Sequence, residues 1–428
     1  MAFSFLICLL LVLFFWHSWN HFKLGIFLLF FLLPTYLIRF HVGLLPSTFL
    51  EGMLLSLVFI WLLKNKQYLK LPTLIKNLFT EHKLLFVGIV LFLLGATISI
   101  FTAIDTKKAL GEWRAFYVEP VLLFFVLSSY LKSFEAKKRK KIIEQYILLP
   151  LVLCGLITSA FAIFQHFTGF LVPHAFWANR ETYRVTAWYG FPNAVGLFLA
   201  PIIPLAIYLL AQTWQRTKKI FHPTAIISML FVITGLLAIL FAKGSGPLLG
   251  AMAGVGVLLL FYKKTRVPTI LFGIVGLIGI VFLPADHTLK QELLAKNYSG
   301  ELRRDIWQET AELLKDRPLV GAGIASYEER ILPYRQNLRI EVFHHPHNIF
   351  LTIWVNTGLI GLIGFLVVVL WFVIAAIKNS NQETIFLLGS LIVILVMGLV
   401  DSPYIKNDLS VLFWLFPTLL LSIIPSKK

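Results

Sequence analysis

Long apolar runs, separated by short polar stretches, recur along the whole chain. Runs near the ~20 residues that a helix needs to cross a bilayer fall at roughly 2–19, 24–40, 45–63, 84–104, 115–131, 146–167, 191–211, 223–242, 244–262, 267–284, 347–377, 384–401 and 408–425. The pattern predicts an all-α polytopic membrane protein with about 12–13 transmembrane helices and one large loop subdomain. Residues 1–167 then hold the N-terminal transmembrane helices, and 168–284 the central ones together with a polar loop at 168–190. Residues 285–346 form the large loop, and 347–428 the C-terminal helices. The first run lacks a basic leading region and a small-residue cleavage site, so it reads as a retained helix and not a signal peptide.

Composition sharpens the class. Hydrophobic residues make up 58% of the chain and charged ones only 14%, where a soluble domain carries about a quarter charged. The net charge of +17 would suit a nucleic-acid binder, but its distribution points to topology. If the 285–346 loop is extracytoplasmic, alternate loops place 21 Lys/Arg inside against eight in the short outer loops, as the positive-inside rule requires. The Lys137-Lys138-Arg139-Lys140-Lys141 run then faces the headgroups of membrane lipids, and no nucleic-acid partner is expected. Cys8 and Cys154 fall inside apolar runs and read as small apolar residues. The sequence has no CxxC, HExxH or Walker glycine loop, so no metal, cofactor or nucleotide-driven pump is expected.

The polar chemistry gathers on the expected outer side. His344-His345-Pro346-His347-Asn348 closes the large loop, where it runs into the apolar stretch to Ile377. That stretch, about 45 Å long as a helix, exceeds a ~30 Å hydrocarbon core. A break at Asn356-Thr357-Gly358 is therefore expected, with His347 in the first turn of a short helix and Pro346 at its favoured starting position. A helix start suits a phosphate, and a neutral imidazole there can take a proton from a hydroxyl; an interfacial capping histidine fits the same local pattern. His344 and His345 read as loop residues.

Within the loop, a helix is expected from Glu301 to Lys315, and Arg303, Trp307, Thr310 and Leu314 share one of its faces. Arg303 beside Trp307 suits an anionic group next to a sugar; an amphipathic helix lying on the membrane suits the same spacing. Glu51, Glu119 and Asp401 are acidic groups in or beside apolar spans. They are either functional or paired with Arg114 or Lys406 to orient helices, and pairing is the favoured expectation.

Three stretches resemble the O-antigen ligase/polymerase superfamily of bacterial membrane glycosyltransferases. Arg184-Val-Thr-Ala-Trp-Tyr-Gly-Phe-Pro192-Asn193 is similar to that family's Arg-then-Pro-Asn start of a span. Arg303-Arg304-Asp305-Ile306-Trp307 with Pro318-Leu319-Val320-Gly321-Ala322-Gly323 resembles its Arg-x-x-x-Trp and Pro-Leu-x-Gly-x-Gly signature. His347-Asn348, followed by Gly358 and Gly361, resembles its His-Asn and Gly-x-x-Gly segment. The chain departs from the family at Lys243-Gly244-Ser245-Gly246, where Ser245 takes the usual arginine place and Lys243 is the nearest cation.

The resemblance implies transfer of a glycan from undecaprenyl diphosphate to a glycolipid or glycan acceptor, on the outer face of the bacterial cytoplasmic membrane. Such a reaction needs cations for the departing diphosphate and a group to orient or deprotonate the acceptor. Arg184 and Arg303 are assigned to the diphosphate with Arg304 in reserve, and His347 to the acceptor. Trp307 is assigned to a sugar ring, and Asn193, Lys243 and Asn348 complete the expected binding set. A lipid-glycan flippase is the rival reading. It would hold its polar groups near the midplane, often in repeated halves, whereas here they concentrate on one face and no internal repeat is visible.

Overall fold

A computed structural model describes residues 2–42, 45–64, 71–179, 181–219, 221–287, 290–291, 294, 296–337 and 341–425. The charge asymmetry noted above draws partly on Lys66, Lys70, Arg180, Lys427 and Lys428, which lie outside these residues. The chain is an all-α polytopic membrane protein. Seven helices are long and apolar enough to cross a membrane, and six shorter apolar helices accompany them among the described residues. The Lys263–Phe282 helix fully buries no residue, and the apolar surface of its later turns suits contact with lipid.

The expected span at 24–40 is not one helix. The Phe22–Phe31 helix ends before Pro34, a short 3-10 turn follows at Leu33–Leu37, and strands Arg39–Val42 and Leu45–Thr48 pair antiparallel. Proline's ring and missing N–H end the helix. The ribbon leads into the Phe49–Leu63 helix through a capping box between Thr48 and Glu51. Glu51 is buried and saturated: it accepts from the Thr48 N–H, Ser47, Arg114 and Asn407. Arg114 also pairs with Glu119 at 3.1 Å, as expected for groups that orient helices. Prolines shape the next two spans as well. Pi-helical turns at Trp113–Val118 and Glu144–Leu148 lie just ahead of Pro120 and Pro150. The Phe116 carbonyl, which Pro120 cannot satisfy, accepts from the Tyr404 hydroxyl at 2.7 Å.

The expected break in the long C-terminal run is present. The Ile349–Lys378 helix is interrupted at Gly358 (φ 67°, ψ −177°), a conformation open essentially to glycine alone. The Pro318–Gly323 loop fills the interruption. The Val355 carbonyl accepts from the Ala322 and Gly323 N–H groups at 2.7 and 3.0 Å, and the Leu359 N–H donates to Leu319 O at 3.0 Å. Beyond the break, the helix lies in backbone contact with Lys83–Phe101, where a methyl on Gly364 would meet the Phe92 nitrogen at 2.2 Å. Small residues permit this approach.

A Gly358→Ala substitution would be strained in φ and would place its methyl 2.2 Å from Leu319 O. It is expected to cost at least about 2 kcal/mol and to lower the thermal unfolding midpoint in detergent. Gly256→Ala, where an added methyl meets open space, should leave the midpoint unchanged or slightly raised.

Candidate active site

Four segments far apart in sequence converge at one end of the bundle: the loop before Pro192, the turn after Phe241, residues 298–347 and residues 398–406. Arg184 reaches across two helix ends. Its Nε donates to Ala242 O at 2.8 Å, and its Nη2 donates to Asn193 Oδ1 at 2.8 Å and to Lys243 O at 3.3 Å. Asn193 opens the Pro192–Leu199 helix and passes the connection on, its Nδ2 donating to Asp401 Oδ2 at 2.9 Å. The other oxygen of Asp401 accepts from the Ser402 N–H at 2.8 Å and lies 3.3 Å from His347 Nδ1. Arg184, Asn193, Asp401 and His347 thus form one continuous polar chain.

Asp401 is buried, and burial alone would raise its carboxyl pKa. The hydrogen bond and charge of His347, the charge of His345 and the Ser402 N–H together hold it well below the ordinary range. A carboxylate facing Nδ1 selects the histidine tautomer protonated at that atom. The lone pair of a neutral His347 then lies on Nε2, and the side chain remains 21% exposed. This arrangement corrects the expectation that Asp401 pairs with Lys406. The lysine instead lies 5.8 Å from the Tyr189 ring, while the carboxylate turns to Asn193 and His347.

The local backbone explains how His347 is held. The helix begins at Ile349, with Asn348 as its cap accepting from the Phe350 and Leu351 N–H groups. His347 is therefore not in a first helical turn, and Pro346 does not start the helix. The asparagine side chain supplies a better cap than a proline start, and His347 takes a left-handed φ of 50° to enter it. Asn348 Nδ2 and the Ile349 N–H donate to Leu399 O and Gly398 O, stitching this turn to the segment that carries Asp401. From the other side, Trp307 Nε1 donates to Pro346 O at 2.9 Å.

Trp307 and Arg303 lie one turn apart on the Tyr298–Asp316 helix, slightly longer than the expected 301–315. Arg303 is close enough for its charge to act on Arg184. Burial first, and then the Arg303 charge, lower the Arg184 pKa, against an opposing pull from Asp401. Two expected residues are not aimed into the network. Arg304 is exposed and pairs with Glu301 at 3.6 Å; it follows Arg303 by about 100° around the helix. Lys243 contributes its backbone carbonyl, in a left-handed turn at φ 50°, and its side chain is exposed.

His345 is half-buried, and its buried Nδ1 finds no hydrogen-bond partner among the described residues. Burial and the neighbouring His347 push its pKa down to about 3. His345, His347 and Asp401 each offer a ligand atom within 4.8 Å of one another, a spacing that could hold a divalent cation. His344, exposed, contacts Glu328. Sequence reasoning undervalued Asp401 and missed Ser402; an acidic residue just beyond an apolar run on the same side as His347 was the available signal.

Fold and site together define a polytopic membrane protein whose polar machinery is concentrated at one end. Residues 229–366 match the family model described as O-antigen ligase, and over these residues the chain is similar to that family. The match includes Arg303, Trp307, His347, Asn348 and Gly358; Arg184, Asn193 and Asp401 lie outside it. The chain is also 24% identical, over 288 residues, to an uncharacterized protein of Haemophilus influenzae, covering 62% of this chain. It spans 66% of that curated relative's length.

Replacing Trp307 with Phe removes the N–H that holds Pro346 O. Loss of one such hydrogen bond, worth about 1 kcal/mol, is expected to speed hydrogen–deuterium exchange roughly fivefold in peptides spanning 341–348. Peptides from 83–101 should exchange at the unchanged rate.

Proposed function

We propose that this chain is a membrane glycosyltransferase that moves a glycan from undecaprenyl diphosphate to an acceptor hydroxyl, on the extracytoplasmic face of the bacterial cytoplasmic membrane. The observation that carries the reading is the polar chain from Arg184 through Asn193 and Asp401 to His347, with Arg303 acting on the same arginine. The family match over 229–366 supports the reaction class.

In this reading the acceptor oxygen attacks the anomeric carbon of the glycan, and the bond from that carbon to the diphosphate oxygen breaks. The hydroxyl proton passes to His347 Nε2, and undecaprenyl diphosphate leaves with the bonding pair. A diphosphate is already a good leaving group, so the protein's task is to stabilise its developing charge and to position the acceptor. Arg184 and Arg303 provide the cations. Arg184 is fixed by neutral carbonyls and an amide, so its charge is not cancelled by a direct carboxylate contact. Asp401 fixes the tautomer of His347 and stabilises the imidazolium that proton uptake creates. Trp307, besides holding Pro346, offers a half-buried indole surface to a sugar ring. The acceptor is lipid A-core in a ligase reaction or another lipid-linked glycan in a polymerase reaction.

Purified protein incubated with a lipid-linked glycan and an acceptor should give a covalent product, a single shift for a ligase and a ladder for a polymerase. Movement of the lipid across the membrane without product would establish a flippase instead. His347→Ala should lower turnover by about 10²–10⁴-fold with little change in donor binding, whereas Arg303→Ala should weaken both. Wild-type turnover in both variants would remove the assignment. Asp401→Asn, nearly isosteric, should lower turnover by at least about 10²-fold while leaving the donor dissociation constant within about twofold.

A further inference from the structure

The end of the bundle away from this network holds a cavity of about 270 Å³. It lies where the Ala136–Ile143 helix meets the start of Gln382–Met397 and the end of Asn407–Ile423. The 16-residue Gln382–Met397 helix separates it from Gly398, beside the His347 turn, by about 24 Å at 1.5 Å per residue. The cavity is therefore not part of the candidate active site, and nothing in the proposed reaction uses it.

Its walls divide in two. Leu205, Phe386, Leu387 and Leu419 make an apolar side. Lys137, Arg139 and Lys140 make a cationic one, opposed by a single carboxylate, Glu383. Lys140 Nζ pairs with Glu383 at 2.6 Å and is neutralised there. Arg139 spends its hydrogen bonds on the carbonyls of Phe134 and Ser422, which position the guanidinium without cancelling its charge. Lys137 is exposed at the mouth. Among the described residues two cations thus remain uncompensated beside an apolar wall, at a bundle end that carries the 132–141 basic run.

We propose that this cavity binds one anionic glycerophospholipid, its headgroup phosphate between Lys137 and Arg139 and its upper acyl segments against Leu205, Phe386, Leu387 and Leu419. A free anion would leave the apolar wall in contact with water, and a zwitterionic lipid would bring its own cation against Lys137. An anionic lipid satisfies both walls. Its headgroup then sits over the junction where Arg139 ties the 136–143 helix to the end of the 407–423 helix, whose opposite end adjoins the Asp401 segment.

The test uses the full chain in detergent, titrated with phosphatidylglycerol or phosphatidylcholine and read by native mass spectrometry. One phosphatidylglycerol per chain should be retained, phosphatidylcholine should not, and a large excess of inorganic phosphate should fail to displace the bound lipid. Each basic residue near a headgroup contributes about fivefold, so Lys137→Glu, which removes a positive charge and adds a negative one at an exposed position that does not threaten the fold, should weaken retention roughly 25-fold. Lys219→Glu, exposed on the same end but outside the cavity, should have no effect. Equal retention of both lipids, displacement by phosphate, an unaffected Lys137→Glu variant, or equal weakening by Lys219→Glu would each overturn the proposal.

Discussion

A chain in hydrocarbon has no water to satisfy a broken backbone hydrogen bond, so every interruption of a helix must be repaired by another part of the protein. The interruption at Gly358 is repaired by the Pro318–Gly323 loop, which exchanges hydrogen bonds with Val355 and Leu359. This repair ties the loop to both halves of the interrupted helix. It holds the last turns of the 349–358 half-helix in place and docks the large loop on that half-helix. It also sets where the Tyr298–Asp316 helix presents Arg303 and Trp307. Gly321 and Gly323 belong to this joint, where any side chain would press on the backbone of Val355 or Ala103. The Pro-Leu-x-Gly-x-Gly motif is accounted for by helix repair.

The same economy governs the polar chain at the bundle end. A direct ion pair between Arg184 and Asp401 would satisfy both charges and leave little field for a ligand. An asparagine stands between them, accepting from one and donating to the other. The carboxylate is free to turn its second oxygen to His347, and the guanidinium keeps its charge. Position and charge are thereby separated: neutral groups hold the arginine, and the anion serves the histidine.

Much of this was legible in the sequence. Apolar runs gave the class of fold, and their excess length after His347 gave the break at Gly358, because bilayer thickness is a hard limit. Arg303, Trp307 and His347 stand out by residue type and spacing, Arg184 and Asn193 by the family resemblance, and the structure brings them to one end. The 24–40 run misled because hydropathy does not register the backbone cost of Pro34. The first-turn placement of His347 misled because proline and asparagine compete to start a helix, and asparagine's side-chain hydrogen bonds to the Phe350 and Leu351 N–H groups decide it. Arg304 was indistinguishable from Arg303 by charge alone, and helical phase separates them. The role of Asp401 depends on a contact across 54 residues with His347 and another across 208 with Asn193, which no local pattern encodes.

The closeness of Arg184 and Arg303 has a kinetic side. Two like charges held near each other in a partly dry setting repel, and after burial the Arg303 charge is the next cause that lowers the Arg184 pKa. Any dianion that settles between them relieves it. In the proposed reaction the relief is available to the incoming donor, and equally to the spent lipid diphosphate once the glycan has gone. The electrostatics that recruit one carrier therefore detain the other.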